Sequence, residues 1–345
     1  MNTKTREYYF DNAKFMLIFL VVLGHSIRPF VESNEWINSL YVGIYFFHMP
    51  AFILVSGYFS KNFRKAGHYK KLIIKLLLPY LVFETIYSLF ISVVFHEKSE
   101  SIFITPYWIM WFLVSLFCWH VLLFIFTKLP FPFILSVIIA VLAGYVDELG
   151  KDFSLLRTFT FFPFFFAGYL LQKHHFDYLK NKVIRFASGV FFISLFSFTY
   201  FSNNESLRWL WASRSYSYYG YKGFEAAEYR IIYLFVMFLA CAAFFSLVTH
   251  KKTYFSKLGA YTLYTYLLHG FWIRFLLDKE HFIKDIETIW DFGLLLIFVI
   301  TICLVTTMPI IRKATSFIVE PYGFLSKLKH NYMHFRFHII KAKHR

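Results

Sequence analysis

The chain has 345 residues, of which 58% are hydrophobic and 48 are phenylalanine, and this composition excludes an ordinary soluble globular protein. Its formal net charge of +16 lies in short clusters between long apolar runs. That arrangement indicates loops between membrane spans and excludes nucleic acid as the expected partner. The 3 cysteines lie inside apolar runs without the spacing of metal ligands, so we expect no disulfide scaffold, no zinc site and no metal cofactor.

Ten apolar segments follow one another along the chain, each close to the roughly 20 residues that cross a bilayer. They lie near residues 10–30, 37–59, 72–95, 104–127, 131–147, 155–172, 184–201, 230–249, 257–276 and 289–311. The sequence therefore predicts an all-α fold, a polytopic membrane protein with about ten transmembrane helices around a central polar cavity.

Lysine and arginine are more frequent in the N-terminal segment and in every second connection after it than in the connections between. This pattern predicts a multi-pass protein of the cell membrane with both termini in the cytoplasm. The first span carries Asp11 near its start and lacks a small-residue cleavage site, so we expect it to remain as a span. Residues 1–312 form the predicted membrane domain, and residues 313–345 form a basic amphipathic tail that we expect at the cytoplasmic lipid surface.

Three ionisable residues share one stripe of the first span. At 3.6 residues per turn, the step from Lys14 to His25 returns to within about 20° of the same direction, and Asp11 lies about 40° away on the other side. Such residues are costly against lipid, so they should face a protein interior or a wet cavity. Because the pKa of histidine is near neutral, His25 is the natural group to take a proton from a hydroxyl nucleophile.

Three further ionisable residues lie deep in other predicted spans. His48 lies in the second span, Glu84 in the third and His269 in the ninth, at depths compatible with a shared cavity. Each also has a simpler interpretation, because an intramembrane histidine can bond a neighbouring helix and a protonated Glu84 can bond a carbonyl or a tyrosine.

The second predicted span continues into a basic run from Lys61 to Lys75. Positive-inside topology explains most of this charge, while Arg64, Lys71 and Lys75 could also bind phosphate beside a cavity. Trp111, at the next tryptophan-rich segment, is either an interface anchor or a cavity wall.

The connection over residues 202–229 is rich in tryptophan and tyrosine among serine and glycine. Flat amphipathic rings such as Trp209 and Trp211 suit stacking on a sugar, but they also suit the membrane interface. The interface interpretation is the simpler of the two.

Six segments occur in an order and spacing that resemble the acyltransferase-3 family of integral membrane O-acyltransferases, nearest its fucose 4-O-acetylase-like branch. They are YFDNAKFMLIFLVVLGH, FHMPAFILVSGYF, the basic run into KLLLPY, WFLVSLF, FFPFFFAGYLL and LGAYTLYTYLLHGF. The resemblance covers residues 6–312 and identifies residues 1–312 as a membrane acyltransferase domain. The first-helix pattern of the family, a basic residue and then a histidine, maps onto Lys14 and His25.

The resemblance implies acyl transfer, usually of an acetyl group from cytoplasmic acetyl-CoA to a hydroxyl of a cell-envelope glycan or its lipid-linked sugar precursor. Acetyl-CoA would then bind near Lys14, Arg64, Lys71 and Lys75, and Asp11 would pair with Lys14. Many members have arginine at the position of Lys14, and lysine keeps the charge without the bidentate fork.

On this hypothesis His25 either deprotonates the acceptor or briefly carries the acetyl group, and His269 orients the acceptor. Substrate-binding candidates are His48, Glu84 and Trp111. The alternative is a transporter or flippase for a lipid-linked glycan, which would also need a polar cavity; a membrane scaffold without chemistry is a third possibility. The sugar, the acyl length and the oligomeric state leave no signal in the sequence.

Overall fold

The structure, a computed structural model, describes residues 8–97, 103–150, 152–202, 206–324 and 326. Within these residues the chain forms helices, turns and bends, with no β-strand. A helix satisfies its backbone hydrogen bonds internally, and apolar segments in a bilayer require this. The predicted all-α fold is therefore confirmed.

The α-helices of the described residues are numbered α1–α15 in chain order. Their bounds are α1 Tyr8–Ile27, α2 Glu35–Tyr45, α3 His48–Tyr58, α4 His68–Leu72, α5 Leu78–Val94, α6 Trp111–Phe126, α7 Pro132–Leu142, α8 Leu155–Leu170, α9 Lys173–Tyr178, α10 Lys182–Phe201, α11 Ser206–Trp211, α12 Phe224–Leu247, α13 Thr262–Ile273, α14 Ile289–Thr307 and α15 Pro309–Val319.

In the described ranges, seven helical segments are long and apolar enough to cross a membrane, which supports the prediction of a polytopic membrane protein. They are Tyr8–Phe30, Glu35–Tyr58, His68–Val94, Asp152–Leu170, Lys182–Phe201, Phe224–Leu247 and Ile289–Thr307. Two further predicted spans are shorter apolar helices, Trp111–Phe126 and Pro132–Tyr145. The predicted span at 257–276 holds the 12-residue helix α13, between a 3₁₀ segment and a π-helical turn. The predicted domain boundary at 312 falls inside α15, and residues 325 and 327–345 of the predicted tail lie outside the described residues.

The second predicted span is broken in the middle, and the break follows from Pro50. Proline lacks an N–H group, and its ring clashes with the carbonyl four residues earlier, here that of Phe46. Helix α2 ends at Tyr45 and α3 begins at His48, on either side of that carbonyl. The carbonyl oxygen of Ile44 accepts a hydrogen bond from the side-chain Nδ1 of His48 at 2.9 Å. The break therefore fixes the orientation of the His48 ring.

Helices α3 and α8 cross at two glycines. A Cβ atom on Gly57 would lie 2.0 Å from the carbonyl oxygen of Phe165, and one on Gly168 would lie 2.0 Å from that of Leu54. Small residues let helix backbones approach closely in a membrane, where lipid provides no hydrophobic drive for association. This crossing holds α8 against α3 and so positions the residues that α8 carries.

We expect Gly57→Ala and Gly168→Ala each to destabilise the protein by about 1–3 kcal/mol, because the added methyl group must push two backbones apart. Thermal unfolding of the detergent-solubilised variants measures this effect. Gly189→Ala is the matched control, since a Cβ atom on that helical glycine meets nothing within 4 Å. Equal melting temperatures for all three variants would contradict the close crossing.

Candidate active-site cavity

A cavity of about 300 Å³ lies at the C-terminal end of α1. Side chains from α1, α2, α3, α8 and α11 line it, together with Trp108 and Trp111 around the start of α6. Its charged or titratable lining groups are His25, Arg28, His48 and Arg157, beside two tyrosines. The remaining lining residues are aromatic or apolar. Among the described residues, the lining contains no carboxylate and no side-chain amide.

The His25 side chain is partly exposed, and it lines the cavity. The ring of Trp108 meets it edge-on, with the ring centroids 4.7 Å apart and an interplanar angle of 69°. The ring of His269 lies on another side, at 5.5 Å and 26°. Two aromatic neighbours therefore restrict the imidazole of His25 while one part of it faces open space.

His269 is fully buried on α13. Its Nδ1 lies 2.9 Å from the carbonyl oxygen of Thr265 and 2.8 Å from that of Tyr266. Because carbonyls only accept, Nδ1 carries the proton and the Nε2 atom of the neutral ring is an acceptor. Among the described residues, Nε2 has no hydrogen-bond partner. His269 thus stands beside His25 with one unused acceptor.

Arg157 enters the cavity from α8 and was not among the residues selected from the sequence. Its Nε donates to the backbone carbonyl oxygen of Trp211 at 3.1 Å, and its guanidinium lies 5.1 Å from the ring centroid of Trp111. The sequence does contain a signal for this residue, because Arg157 lies inside the predicted span 155–172, where a charge is costly against lipid. The sequence does not predict its partners Trp111 and Trp211, because they lie on α6 and α11, which are distant from α8 along the chain.

Glu84 is buried outside the cavity lining described here. Both of its carboxylate oxygens accept from the backbone N–H of Tyr107, at 2.9 and 3.1 Å. The next residue, Trp108, has a φ of 35°, which is unfavourable for a bulky side chain, and its ring contacts His25. In the structure Glu84 therefore reaches the site through the segment that holds Trp108.

The opposite end of α1 holds the other two residues of the predicted stripe. The Asp11 carboxylate lies 3.0 Å from Lys14 Nζ, one turn along the helix. Lys14 Nζ also lies 5.8 Å from the ring centroid of Phe59, just after α3. In the described part of the chain, neither Asp11 nor Lys14 lines the cavity at His25. The structure therefore brings together His25, His48 and Trp111 in the lining, with His269 adjacent, and places Lys14 at the far end of α1.

The basic run after α3 lies outside the cavity as well. Lys71 is exposed, Arg64 donates to the hydroxyl of Thr127 at 3.1 Å, and Lys75 Nζ lies 5.4 Å from the ring centroid of Tyr322. In the described part of the chain, no carboxylate forms an ion pair with Arg64 or Lys75. These groups remain available to an anion at that surface.

The aromatic connection predicted as a sugar platform or interface belt contributes to the cavity. Leu210 and Trp211 of α11 line it, and Arg230 of α12 donates to the carbonyl oxygen of Trp209 at 2.9 Å. Arg230 is fully buried, with its guanidinium 5.4 Å from the Trp209 ring centroid. The contact anchors α11 over the cavity.

The fold and the cavity define a polytopic membrane protein with a histidine- and arginine-lined internal site. Residues 7–308 match the acyltransferase-3 family, described as "Acyltransferase domain", so the chain belongs to that family. The predicted family is thereby confirmed; its fucose 4-O-acetylase-like branch stays a prediction.

Two curated relatives match about half of the chain. "Nodulation protein NolL" of Mesorhizobium japonicum is 30% identical over 189 residues, which cover 50% of this chain and 49% of the relative. "Nodulation protein NolL" of Sinorhizobium fredii is 26% identical over 187 residues, which cover 49% of each. The alignments thus span about half the length of these relatives. No solved structure matches the chain significantly.

Proposed function

We propose that this protein is a membrane O-acyltransferase that moves an acetyl group from cytoplasmic acetyl-CoA to a hydroxyl of a cell-envelope glycan or its lipid-linked precursor. The observation that carries the proposal is the His25 imidazole, which opens onto an aromatic-lined cavity of about 300 Å³ and is flanked by Trp108 and His269. Membership of an acyltransferase family supports acyl transfer as the reaction class.

In the direct form of the reaction, His25 takes the proton of the acceptor hydroxyl as that oxygen attacks the thioester carbonyl. The carbon–oxygen bond forms, the carbon–sulfur bond breaks, and the leaving thiolate takes the proton from His25. In the covalent form the imidazole nitrogen attacks the thioester carbonyl, and the carbon–sulfur bond breaks as coenzyme A leaves. The acceptor oxygen then attacks the acetyl-histidine, the carbon–nitrogen bond breaks, and the released imidazole nitrogen takes the proton of the hydroxyl. His269, which is buried beside His25, orients the acceptor through the His25 ring. His48 and Trp111 contact the acceptor from the cavity wall.

The donor and the acceptor would approach from opposite ends of α1. The diphosphate of acetyl-CoA binds near Lys14, Arg64, Lys71 and Lys75 at the cytoplasmic face, where ammonium and guanidinium groups attract polyanions. Glycan hydroxyls reach His25 from the outer side, where tryptophan rings suit stacking on sugar faces. This arrangement requires both termini in the cytoplasm and a cell membrane around the helices.

The test uses the full chain purified into lipid nanodiscs and acetyl-CoA labelled in its acetyl group. We expect the label to move to glycans extracted from the cell envelope, and a strain that lacks the gene to lose an acetyl group from those glycans by mass spectrometry. Neither transfer nor turnover of acetyl-CoA would contradict the proposal. Glycan translocation without use of the thioester would indicate a flippase instead.

Lys14→Ala should raise the KM for acetyl-CoA about tenfold, the equivalent of about 1.4 kcal/mol, while kcat changes little. The reason is that the ammonium group contributes to donor binding and lies far from the reacting atoms. Lys14→Arg should restore the KM, because it keeps the charge. Lys128→Ala, which removes an exposed lysine over the ring of Phe124, is the control and should leave the KM unchanged. An unchanged KM in Lys14→Ala would remove Lys14 from the donor site.

A further inference from the structure

The cavity is lined by positive charge, and the described residues place no carboxylate in its lining. Arg28 and Arg157 both line it, with His25 and His48. Among the described residues, Arg157 has no carboxylate within ion-pair distance. Within the described ranges, the one carboxylate that lies within ion-pair distance of Arg28 is that of Glu32, at 3.8 Å, and the Glu32 side chain is 87% exposed. A solvated pair of this kind leaves most of the arginine charge available.

Trp211 contacts both Arg157 and Arg28. The carbonyl oxygen of Trp211 accepts from Nε of Arg157 at 3.1 Å, and the Trp211 ring lies 5.5 Å from the guanidinium carbon of Arg28. The guanidinium carbon of Arg157 lies 5.1 Å from the ring centroid of Trp111. With Nε engaged and the guanidinium beside Trp111, the terminal nitrogens of Arg157, which donate to no described residue, can form a two-pronged contact. A guanidinium edge held in this way matches the two oxygens of a carboxylate or phosphate.

The rest of the lining is poorly suited to a neutral sugar. Sugar hydroxyls need acceptors as well as donors, and carboxylates and side-chain amides supply acceptors well. In the described part of the chain the lining contains neither type of side chain. Its acceptors are tyrosine hydroxyls, imidazole nitrogens and backbone carbonyls. An acidic ligand therefore fits the charge and the hydrogen-bonding groups of this cavity better than a neutral one.

We infer that the acceptor carries an anionic group, a sugar carboxylate or a phosphate ester, and that Arg157 together with Arg28 binds it beside His25. This inference rests on the proposed function, because it assigns the cavity to the acceptor. Binding the anion would hold the acceptor in one orientation, so that one hydroxyl lies at the imidazole. Arg157 is then a specificity-determining residue.

The test measures ligand-induced thermal shifts and tryptophan fluorescence of the full chain in nanodiscs, since tryptophan rings contact both arginines. The probes are glucuronate, glucose, inorganic phosphate and coenzyme A. We expect glucuronate to bind at least about tenfold more tightly than glucose, and Arg157→Gln to remove that difference. Arg214→Gln is the matched control, since Arg214 stacks on Tyr218 outside the cavity lining and should keep the difference. Phosphate binding in place of glucuronate would identify a phosphate ester as the anion.

A glucose shift as large as the shift with an anion, no shift with either anion, or an anion shift that survives Arg157→Gln would overturn the inference. A shift that depends on Arg157 but appears only with coenzyme A would assign the arginines to the donor and overturn it too. The proposed function is tested separately by label transfer. Acetylation of a glycan without any acidic group would refute the anionic acceptor and leave the transferase standing. Glucuronate binding without any acetyl transfer would refute the transferase and leave the anion site standing.

Discussion

His25→Ala should reduce acetyl transfer by about 10³-fold, mainly through kcat. The substitution removes the only side chain that we assign to proton transfer or to carrying the acetyl group. Its effect on folding should be small, because part of the ring faces the cavity rather than the packed core. Transfer of label from acetyl-CoA to envelope glycans measures the loss, and thermal unfolding in the same detergent tests whether the protein remains folded.

The matched control for that variant is His120→Ala. His120 is a buried histidine on α6 whose Nδ1 lies 2.8 Å from the Leu116 carbonyl oxygen, and it does not line the cavity. Its removal should leave kcat within about threefold. A His25→Ala protein that transfers acetyl at the normal rate would refute the role of His25. Mass spectrometry of the wild-type chain, incubated with acetyl-CoA alone, distinguishes acetyl-histidine from direct transfer.

The features that the sequence predicted are those that depend on the local pattern of residues within one helix. The stripe on the first span required only helical geometry and the cost of charge in a membrane, and the structure places Asp11 and Lys14 in contact and His25 in a cavity. The kink at Pro50 likewise follows from one residue and the helix around it. Long apolar runs were sufficient for the all-α membrane fold.

What the sequence could not predict depends on contacts between distant segments. Arg157 lines the same cavity as His25 and lies on α8, which crosses α3 at Gly57 and Gly168. An amphipathic pattern contains no information about that crossing. Glu84 is a substrate-binding candidate from its depth in the third span alone. Its placement in the structure, behind Trp108, depends on the connection between α5 and α6.

His269→Phe should lower kcat by about 10²-fold while it raises the stability of the protein. Phenylalanine keeps an aromatic ring against His25 and removes the Nε2 atom, which is buried without a partner among the described residues. Removing a buried unpaired acceptor raises the free energy of unfolding by about 1–3 kcal/mol. The loss of the two hydrogen bonds from Nδ1 offsets part of this gain. The variant thus separates a functional role of His269 from a packing role. A residue that serves the chemistry at a cost to stability lowers activity but raises stability when it is replaced.

Steady-state kinetics at saturating acetyl-CoA and thermal unfolding of the same preparation are the two measurements. Loss of activity with an unchanged KM for acetyl-CoA and an equal or higher melting temperature is the expected pair of results. A variant that is both inactive and destabilised would assign His269 to packing. A variant that is stable and fully active would show that the unused acceptor beside His25 has no part in orienting the hydroxyl, and the reaction would then depend on His25 and the cavity wall alone.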